Sequence, residues 1–388
     1  MRNKLKLSLI WLDAVWCTLF TLIIAGLFYL LFVNITFLDP FEKAFEDFSF
    51  TDLYYSKLKS EEAITPNIIL VNVEHEDRFA IAQAIHIISS ENPKAIGLDL
   101  LFKELKAPFT DSILKTELGR HKNLVTAYYH TDSSTVRNHP FFKSETEKSG
   151  YINFDQEESN VIRDFEGTDE EGNLSFVVQL AKVSGFIDSD EKLDKLEGRM
   201  PINYTGNSDQ FLTVTISELL ALQEFPAAKD AVVIFGYLGT PTGNVNDIED
   251  KHFTPLNPKF AGRSVPDMYG VVIHANILKM FLNKNFITKI PKSVVWILAI
   301  LFCYLCCLIS LKLEHKSEFL FDLLKKLLVF IVAVLFLYLA LLLIKSNIHL
   351  DVSIILILTL LGVEMVEFYI YLMRYLKSKG IWKHTVIH

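Results

Sequence analysis

Four long apolar runs interrupt the mixed pattern of hydrophobic and polar positions along the chain. They cover Leu7–Val33, Val294–Leu311, Leu327–Ile344 and Val352–Met373. Each is close to the roughly 20 residues that an α-helix needs to cross a bilayer core of about 30 Å. A helix buried in a soluble core would be shorter and would carry polar residues at helical spacing. The pattern therefore predicts four transmembrane helices, at residues 1–33 and at about 294–311, 327–344 and 352–373.

The first run follows a basic start, which signal peptides also have. Its apolar stretch is longer than that of a signal peptide, and the segment Asn34–Pro40 lacks a small-x-small cleavage pattern. Residues 1–33 are therefore expected to remain as an N-terminal anchor.

Basic residues near the predicted helices indicate the orientation of the chain. They lie before the first helix, between the second and third, and after the fourth: Arg2, Lys4, Lys6, Lys312, Lys316, Lys325, Lys326, Arg374, Lys377, Lys379 and Lys383. Cytoplasmic loops carry such an excess of Lys and Arg. We expect both termini in the cytoplasm, residues 34–292 outside it, three helices within 293–373, and a short basic tail at 374–388.

Charge divides unevenly between these segments. Residues 34–292 hold 39 acidic and 26 basic side chains, whereas the rest of the chain has a net charge of +5. The absence of a basic patch argues against nucleic acid as a partner. A solvated acidic surface that keeps an exported domain soluble explains the charge better than a dedicated cation site does.

Residues 34–292 alternate between short apolar runs and segments of helical spacing. Strands are predicted at residues 67–74, 95–102, 123–129 and 231–239, and helices at 79–91, 110–120 and 271–283. A further amphipathic linker helix is predicted within residues 39–66. Strand, helix and strand in this order indicate an α/β domain with a mixed, mostly parallel sheet and flanking helices. Residues 131–175 and 240–268 are expected to be insertions.

In a parallel sheet the ligand crevice lies beyond the carboxyl ends of the strands. The predicted strand ends place Glu74, Asp99 and the Gly236 turn there. Asp99 is embedded in an apolar strand, which is costly for an acid unless it is hydrogen-bonded or paired. The simpler expectation is that Asp99 binds neighbouring loop amides. His274, in a predicted helix, is expected to be a satisfied core or capping histidine, with a role in a pocket left open.

Motifs of enzymes and metal sites are missing from the sequence. It has no Gly-x-Ser-x-Gly elbow, no phosphate-binding Gly-x-x-x-x-Gly-Lys loop, no His-Glu-x-x-His and no zinc spacing. The sequence Gly236-Tyr-Leu-Gly239-Thr240 indicates a tight turn rather than a phosphate-binding site. The cysteines Cys17, Cys303, Cys306 and Cys307 all lie in predicted helices, where small apolar packing is expected. We therefore expect no catalytic residue, metal or cofactor.

Several ordered motifs resemble those of the CHASE2 domain, the second type of the cyclase- and histidine-kinase-associated extracellular sensory domain. They are Ile68–Glu74, Lys94–Phe102, Gly150-Tyr-Ile-Asn-Phe154, Val161-Ile-Arg163, Ile202-Asn-Tyr-Thr-Gly206, Val232–Gly239, Thr254-Pro-Leu256 and Tyr269–Asn276. The resemblance covers roughly residues 40–290, and three closely spaced helices after the domain are also typical of the family.

This resemblance implies a signal-input domain rather than an enzyme, in a multi-pass protein of the bacterial cytoplasmic (inner) membrane. It also adds Thr254 to the candidate crevice of Glu74, Asp99, Gly236 and His274. Family members usually continue into a cytoplasmic output domain, but only 15 residues follow Met373. We therefore expect a sensor subunit that receives a periplasmic ligand or protein and acts through a separate effector or membrane-complex protein. The alternative is a structural scaffold of an envelope complex.

Ionisable side chains inside the predicted helices suggest where a partner binds. Asp13 lies in the first helix, and Glu364 and Glu367 share a face of the fourth. Such groups are costly in a bilayer and indicate a functional site. We expect them to pair with neighbouring helices or with a helix of the partner. Ion coupling through Glu364 and Glu367 is a further alternative.

Overall fold

The computed structural model describes residues 2–32, 52, 54–59, 63–144, 148–154, 161–187, 196, 198–240, 248–257, 265–314 and 317–381. The chain forms two compact units. One consists of Ala44–Ile287 and is called the α/β unit. The other consists of Met1–Lys43 with Thr288–His388 and is called the helical unit.

Short strands alternate with helices through the α/β unit. The strands are β1 (Thr65–Asn72), β2 (Ala95–Leu98), β3 (Leu124–His130), β4 (Thr135–Val136), β5 (Lys148–Tyr151), β6 (Asp164–Glu166), β7 (Arg199–Pro201), β8 (Phe211–Thr215), β9 (Val232–Gly236), β10 (Lys251–His252) and β11 (Met268–Tyr269). Those of the central sheet follow the order β4-β3-β2-β9-β1-β8, with β5 also paired to β3. The pairs are parallel except β3 with β4. The predicted mixed, mostly parallel α/β fold is confirmed.

Helices cover both faces of this sheet. After the N-terminal α1 (Arg2–Phe32), the α/β unit contains α2 (Arg78–Ser90), α3 (Pro108–Arg120), α4 (Phe176–Val183), α5 (Ile216–Leu222) and α6 (Gly270–Asn283). Ile69 of β1 and Ile96 of β2 belong to one buried cluster with α2, α3 and α5. Gly97 faces the other side, where a Cβ would lie 2.8 Å from a methyl carbon of Leu180 on α4.

Helix α6 is buried along almost its whole length and begins at the carboxyl end of β9. A Cβ on Gly236, the last residue of β9, would lie 2.6 Å from the Cβ of Val271. Since real side chains do not approach so closely, glycine at this position allows α6 to pack against the strand end. Close packing against Val271 therefore explains the glycine at position 236.

Asp52 and Lys59, near the start of the α/β unit, are held by polar contacts with residues much later in the chain. Arg163 donates two hydrogen bonds to the buried Asp52 carboxylate, at 3.1 and 2.6 Å. Lys59 Nζ donates to Asn203 Oδ1 at 2.8 Å and to the carbonyl of Tyr204 at 2.6 Å. Within the predicted linker helix of residues 39–66, the structure describes one turn at Tyr54–Leu58. Most of that prediction lies outside the described residues.

The helical unit contains α1 and three further helices, α7 (Lys292–Leu313), α8 (Glu318–Lys345) and α9 (Ser353–Ser378). All four are long and apolar enough to cross a membrane. A short parallel pair, β12 (Thr288–Lys289) with β13 (Ile348–His349), joins the starts of α7 and α9. The four cysteines are free and buried. A Cβ on Gly362 of α9 would lie 2.5 Å from the sulfur of Cys303, so small residues allow α7 and α9 to pack closely.

Two details of the sheet differ from the predictions. Strand β2 ends at Leu98 rather than at residue 102, so Asp99 lies just beyond the strand and not within it. Strands β5 and β8 were not predicted, because neither is a continuous apolar run: β8 has the sequence Phe-Leu-Thr-Val-Thr. Both pair at the sides of the predicted strands.

Candidate functional site

The candidate site of the α/β unit lies where β2 ends and α6 begins. Asp99 follows the last residue of β2, and His274 lies on the second turn of α6. Asp99 Oδ2 and His274 Nε2 are 4.0 Å apart. This separation is too long for a hydrogen bond, so the two side chains face each other without being bonded.

Asp99 is buried without the partners that a carboxylate normally has. Its side chain is 9% exposed, and it accepts no hydrogen bond from the described residues. Bonds from loop amides to Asp99, as expected from the sequence, are therefore not found among the described residues. Burial, together with the nearby charge of Asp250, raises the pKa of Asp99 from 3.8 to about 8. At neutral pH most molecules thus carry an uncharged Asp99.

His274 is also buried and uncharged. Burial and the neighbouring His252 lower its pKa from 6.5 to about 3. Its ring stacks on Phe154 with centroids 4.7 Å apart, and the edge of Phe176 approaches it at 5.4 Å. Nδ1 has no hydrogen-bond partner among the described residues. The histidine is thus a buried residue whose Nδ1 is unsatisfied among the described residues, and being uncharged it does not form an ion pair with Asp99.

Asp250 and His252, on the hairpin before α6, complete the group. The Asp250 carboxylate lies beside Gly270, the first residue of α6. The Asp250 side chain is 43% exposed. Partial burial and the charge of Glu249 raise its pKa to about 6, although a hydrogen bond from the Gly270 amide opposes the shift. His252 Nε2 lies 3.9 Å from Asp250 Oδ1, and burial lowers its pKa. Sequence reasoning missed both residues, since they lie in an insertion with no motif of their own.

The other predicted crevice residues have structural surroundings. Glu74 follows β1, and β9 lies between β1 and β2, so the sheet does not place it next to Asp99. The space beside Gly236 is filled by Val271. The buried hydroxyl of Thr254 donates to Asp267 at 2.5 Å and fastens the loop that follows β10. Of the five predicted residues, the structure brings Asp99 and His274 together at an unsatisfied site.

Asn72, at the end of β1, organises the neighbouring loops and was not singled out by its sequence. Its Nδ2 donates to the carbonyl of Gly239 at 2.8 Å, and its Oδ1 accepts from the amides of Leu238 and Glu74. Glu74 adopts a positive φ of 45°, which these bonds stabilise. A polar residue that ends an apolar strand was the available signal.

The three acids of the predicted transmembrane helices differ in their surroundings. Asp13 of α1 is buried and accepts a hydrogen bond from the Tyr369 hydroxyl of α9 at 3.2 Å. Glu367 of α9 forms an ion pair with Lys325 of α8. Glu364 is exposed on α9 and has no hydrogen-bond or ionic partner among the described residues. Two of these acids are therefore paired within the helical unit and one is not.

Glu367 also lines a groove of about 330 Å³ at one end of the helical unit. The other lining residues are Glu314, Glu318, Phe321, Asp322, Ile370, Tyr371 and Arg374. Arg374 donates to Glu314 at 3.2 Å across this groove. Carboxylates therefore predominate around Glu367, and the ion pair with Lys325 offsets part of their repulsion.

Among the described residues, no group of three or more His, Cys, Asp or Glu side chains is arranged to hold a metal ion. A family model with the description CHASE2 domain matches residues 20–309, about three quarters of the chain. This match confirms the resemblance and extends into α1 and α7. No curated protein and no solved structure matches the chain.

Proposed function

The chain belongs to the CHASE2 domain family, and on this premise we propose that it is a sensor subunit that acts through a separate partner protein. A sensory domain joined to four helices of membrane-spanning length fits a membrane sensor. In our proposal the α/β unit binds the signal outside the cytoplasm of a bacterial cell, without catalysis. The helices of the inner membrane then pass the change to an effector or to a complex of membrane proteins.

The unpaired Glu364 carries the partner part of this proposal. A carboxylate on the outer surface of a membrane-spanning helix faces hydrocarbon, which is costly. Its neighbours show that the same unit pairs such groups where it can, since Asp13 meets Tyr369 and Glu367 meets Lys325. A basic or hydroxyl group on a partner's helix would supply what Glu364 lacks.

Glu364 is also placed centrally on an exposed stripe of α9. The other members of the stripe are Ile357, Leu360, Phe368, Tyr371 and Tyr375. Successive members are three or four residues apart, so they share one face of the helix. Exposed apolar residues alone would suit lipid. A single carboxylate among them favours a protein helix with one polar contact at matching depth.

Replacing Glu364 with leucine distinguishes the two environments. If Glu364 faces a partner, E364L removes the polar contact, and we expect at least a tenfold loss of the partner that co-purifies in mild detergent. E364Q keeps hydrogen bonding and should lose less. E318Q, which removes an exposed acid from the start of α8, is the matched control and should retain the partner.

If Glu364 faces lipid instead, E364L should stabilise the protein. The E364L chain would then resist unfolding in detergent better than the wild type, because a polar group has left hydrocarbon. Unchanged partner recovery in E364L would count against the proposal. A photoreactive residue at position 364 supplies a second readout, since it should cross-link to a protein partner rather than to lipid.

A further inference from the structure

The carboxylates of Asp99 and Asp250 beside α6 differ in burial, since the Asp99 side chain is 9% exposed and the Asp250 side chain is 43% exposed. Among the described residues, no Lys or Arg forms an ion pair with Asp99 or Asp250. Asp99 is 91% buried and accepts no hydrogen bond from these residues, and Nε2 of the buried His274 ring faces its carboxylate at 4.0 Å. Buried polar groups of native proteins are nearly always hydrogen-bonded, so exceptions of this kind point to a bound group.

We propose that the site formed by Asp99, Asp250 and His274 binds a small primary ammonium compound, which donates hydrogen bonds to the two carboxylates and to the imidazole. The inference deepens the proposed sensor function and rests on it, because it names the chemical class of the signal. The chemical class of the signal does not depend on which protein receives the output.

The geometry suits an ammonium group. Asp99 Oδ2 and His274 Nε2 are 4.0 Å apart, so one nitrogen at about 2.8 Å from each would bridge them. An ammonium has three N–H donors and no acceptor. The available groups are two carboxylates and a neutral imidazole, whose Nε2 accepts when the proton is on Nδ1.

Aromatic side chains surround the same place. Phe154 lies between two histidines, stacked on His274 and edge-on to His252 at 5.4 Å. Phe176 approaches His274 from α4. Aromatic faces attract ammonium groups and also pack against the carbon atoms attached to them. A hydrated inorganic cation would gain little from these rings, and the described residues provide no metal-binding group.

Binding at this site would act on the helix that leads to the membrane. His274 is on α6, and a short connection after Asn283 leads to α7 at Lys292. A ligand that bonds His274 and Asp250 contacts both the start of α6 and the hairpin before it. It can shift an equilibrium only through different affinity for two states of this helix.

Ionisation predicts how binding depends on pH. Asp99 must lose its proton to accept from an ammonium, and its pKa of about 8 places that loss above neutrality. The facing titratable groups are Asp250, with Glu249 beside it, and the neutral His252 and His274. We therefore expect affinity to rise from pH 6 to pH 8.5.

The test uses the full chain in a detergent free of phosphatidylethanolamine, so that soluble ethanolamine hydrochloride is the only source of primary ammonium groups. Hydrogen exchange of the α6 amides and the thermal unfolding midpoint are followed at pH 6 and 8.5. We expect ethanolammonium to slow exchange and raise the midpoint, with at least tenfold tighter apparent binding at the higher pH. Tetramethylammonium, which has the same charge and no N–H donor, should do neither.

D99N should weaken the response at least tenfold. D230N is the matched control, because Asp230 is exposed, lies at the opposite end of β9 and has a positive φ that asparagine tolerates. No response of the wild type, an equal response to tetramethylammonium, or a response that survives D99N would each overturn the proposal. Partner recovery in the E364L experiment is measured without amine, so failure of one proposal leaves the other intact.

Discussion

Two buried polar regions of the α/β unit have opposite character. The first, called the anchoring region, consists of Asp52, Lys59, Arg163, Asn203, Tyr204, Thr205 and Asn276. Its polar groups have hydrogen-bond partners. Arg163 donates to the Asp52 carboxylate, and Tyr204 Oη donates to the carbonyl of Ile162 at 2.8 Å. The second is the site of Asp99, Asp250 and His274, where Asp99 accepts no hydrogen bond from the described residues and the buried His274 Nδ1 has no partner among them.

The difference distinguishes polar residues that stabilise the fold from polar residues that are available for binding. A buried charge with a complete set of partners holds chain segments in place, and its loss leaves the partner uncompensated. A buried polar group without partners does not hold chain segments in place, so its presence needs another explanation. Helix α6 carries one residue of each type two positions apart, since Asn276 is fully bonded and His274 is not.

The largest effect is expected in the anchoring region, from R163M. Methionine keeps much of the side-chain stem but leaves the buried Asp52 carboxylate without its bidentate partner. Breaking a buried pair on one side costs about 3–5 kcal/mol. Hydrogen exchange of the β1 and β9 amides, measured by mass spectrometry on the full chain in detergent, should show this loss. D230N serves as the control, and a loss below about 1 kcal/mol would contradict the contrast.

N276L is expected to have the next largest effect. Asn276 Oδ1 accepts from the amide and hydroxyl of Thr205, and Nδ2 donates to the carbonyls of Gly206 and Val272. Leucine has a similar size but leaves the Thr205 amide and the Gly206 carbonyl buried and unbonded. An unsatisfied group costs about 1–3 kcal/mol, and values near the lower end of this range for the two groups give an expected loss of roughly 2–3 kcal/mol in the same exchange measurement. Rapid exchange of the Thr205 amide would identify the cause.

The sequence predicted the elements that depend on periodicity and missed the contacts made across long distances. Apolar runs identified the four helices and the strands β1, β2, β3 and β9, because burial on both faces leaves a continuous signal. The Asn-Tyr-Thr-Gly motif at 203–206 was visible, but its partner Asn276 lies some 70 residues later. The proximity of Asp250 to Asp99 depends on a hairpin within an insertion, where no periodic pattern exists.

The D99N variant tests the unbonded region through pH. The pKa of Asp99 is raised from 3.8 to about 8 in the folded protein, so the folded state keeps a proton that the unfolded state releases between these values. Stability from Asp99 is therefore complete below about pH 4 and is lost as pH rises towards 8. The free energy of unfolding changes by at most about 1.4 kcal/mol for each pH unit in this range. Coupling to Asp250 and relaxation of the site reduce the expected change to about 1–2 kcal/mol between pH 5 and 8.

Asparagine at position 99 has no charge to bury, so D99N should lack this loss. The measurement is the unfolding free energy of D99N relative to the wild type at pH 5 and at pH 8, from urea titrations followed by far-ultraviolet circular dichroism. The unfolding free energy of D99N should increase relative to that of the wild type as the pH rises. Parallel behaviour of the two proteins would show that Asp99 is ionised and solvated in the folded state. It would thereby remove the contrast with the anchoring region.

The smallest effect is expected from H274L, two residues before Asn276. Leucine keeps a buried apolar surface against Phe154 and Phe176 and removes an imidazole that makes no hydrogen bond through Nδ1. Replacing an unsatisfied polar group with an apolar one of similar size is nearly neutral, so stability should change by less than about 1 kcal/mol. Because both variants place leucine on the same buried helix, N276L is the matched comparison. Equal losses in the two would mean that His274 has bonded partners in solution, and the site beside α6 would then belong with the anchoring region.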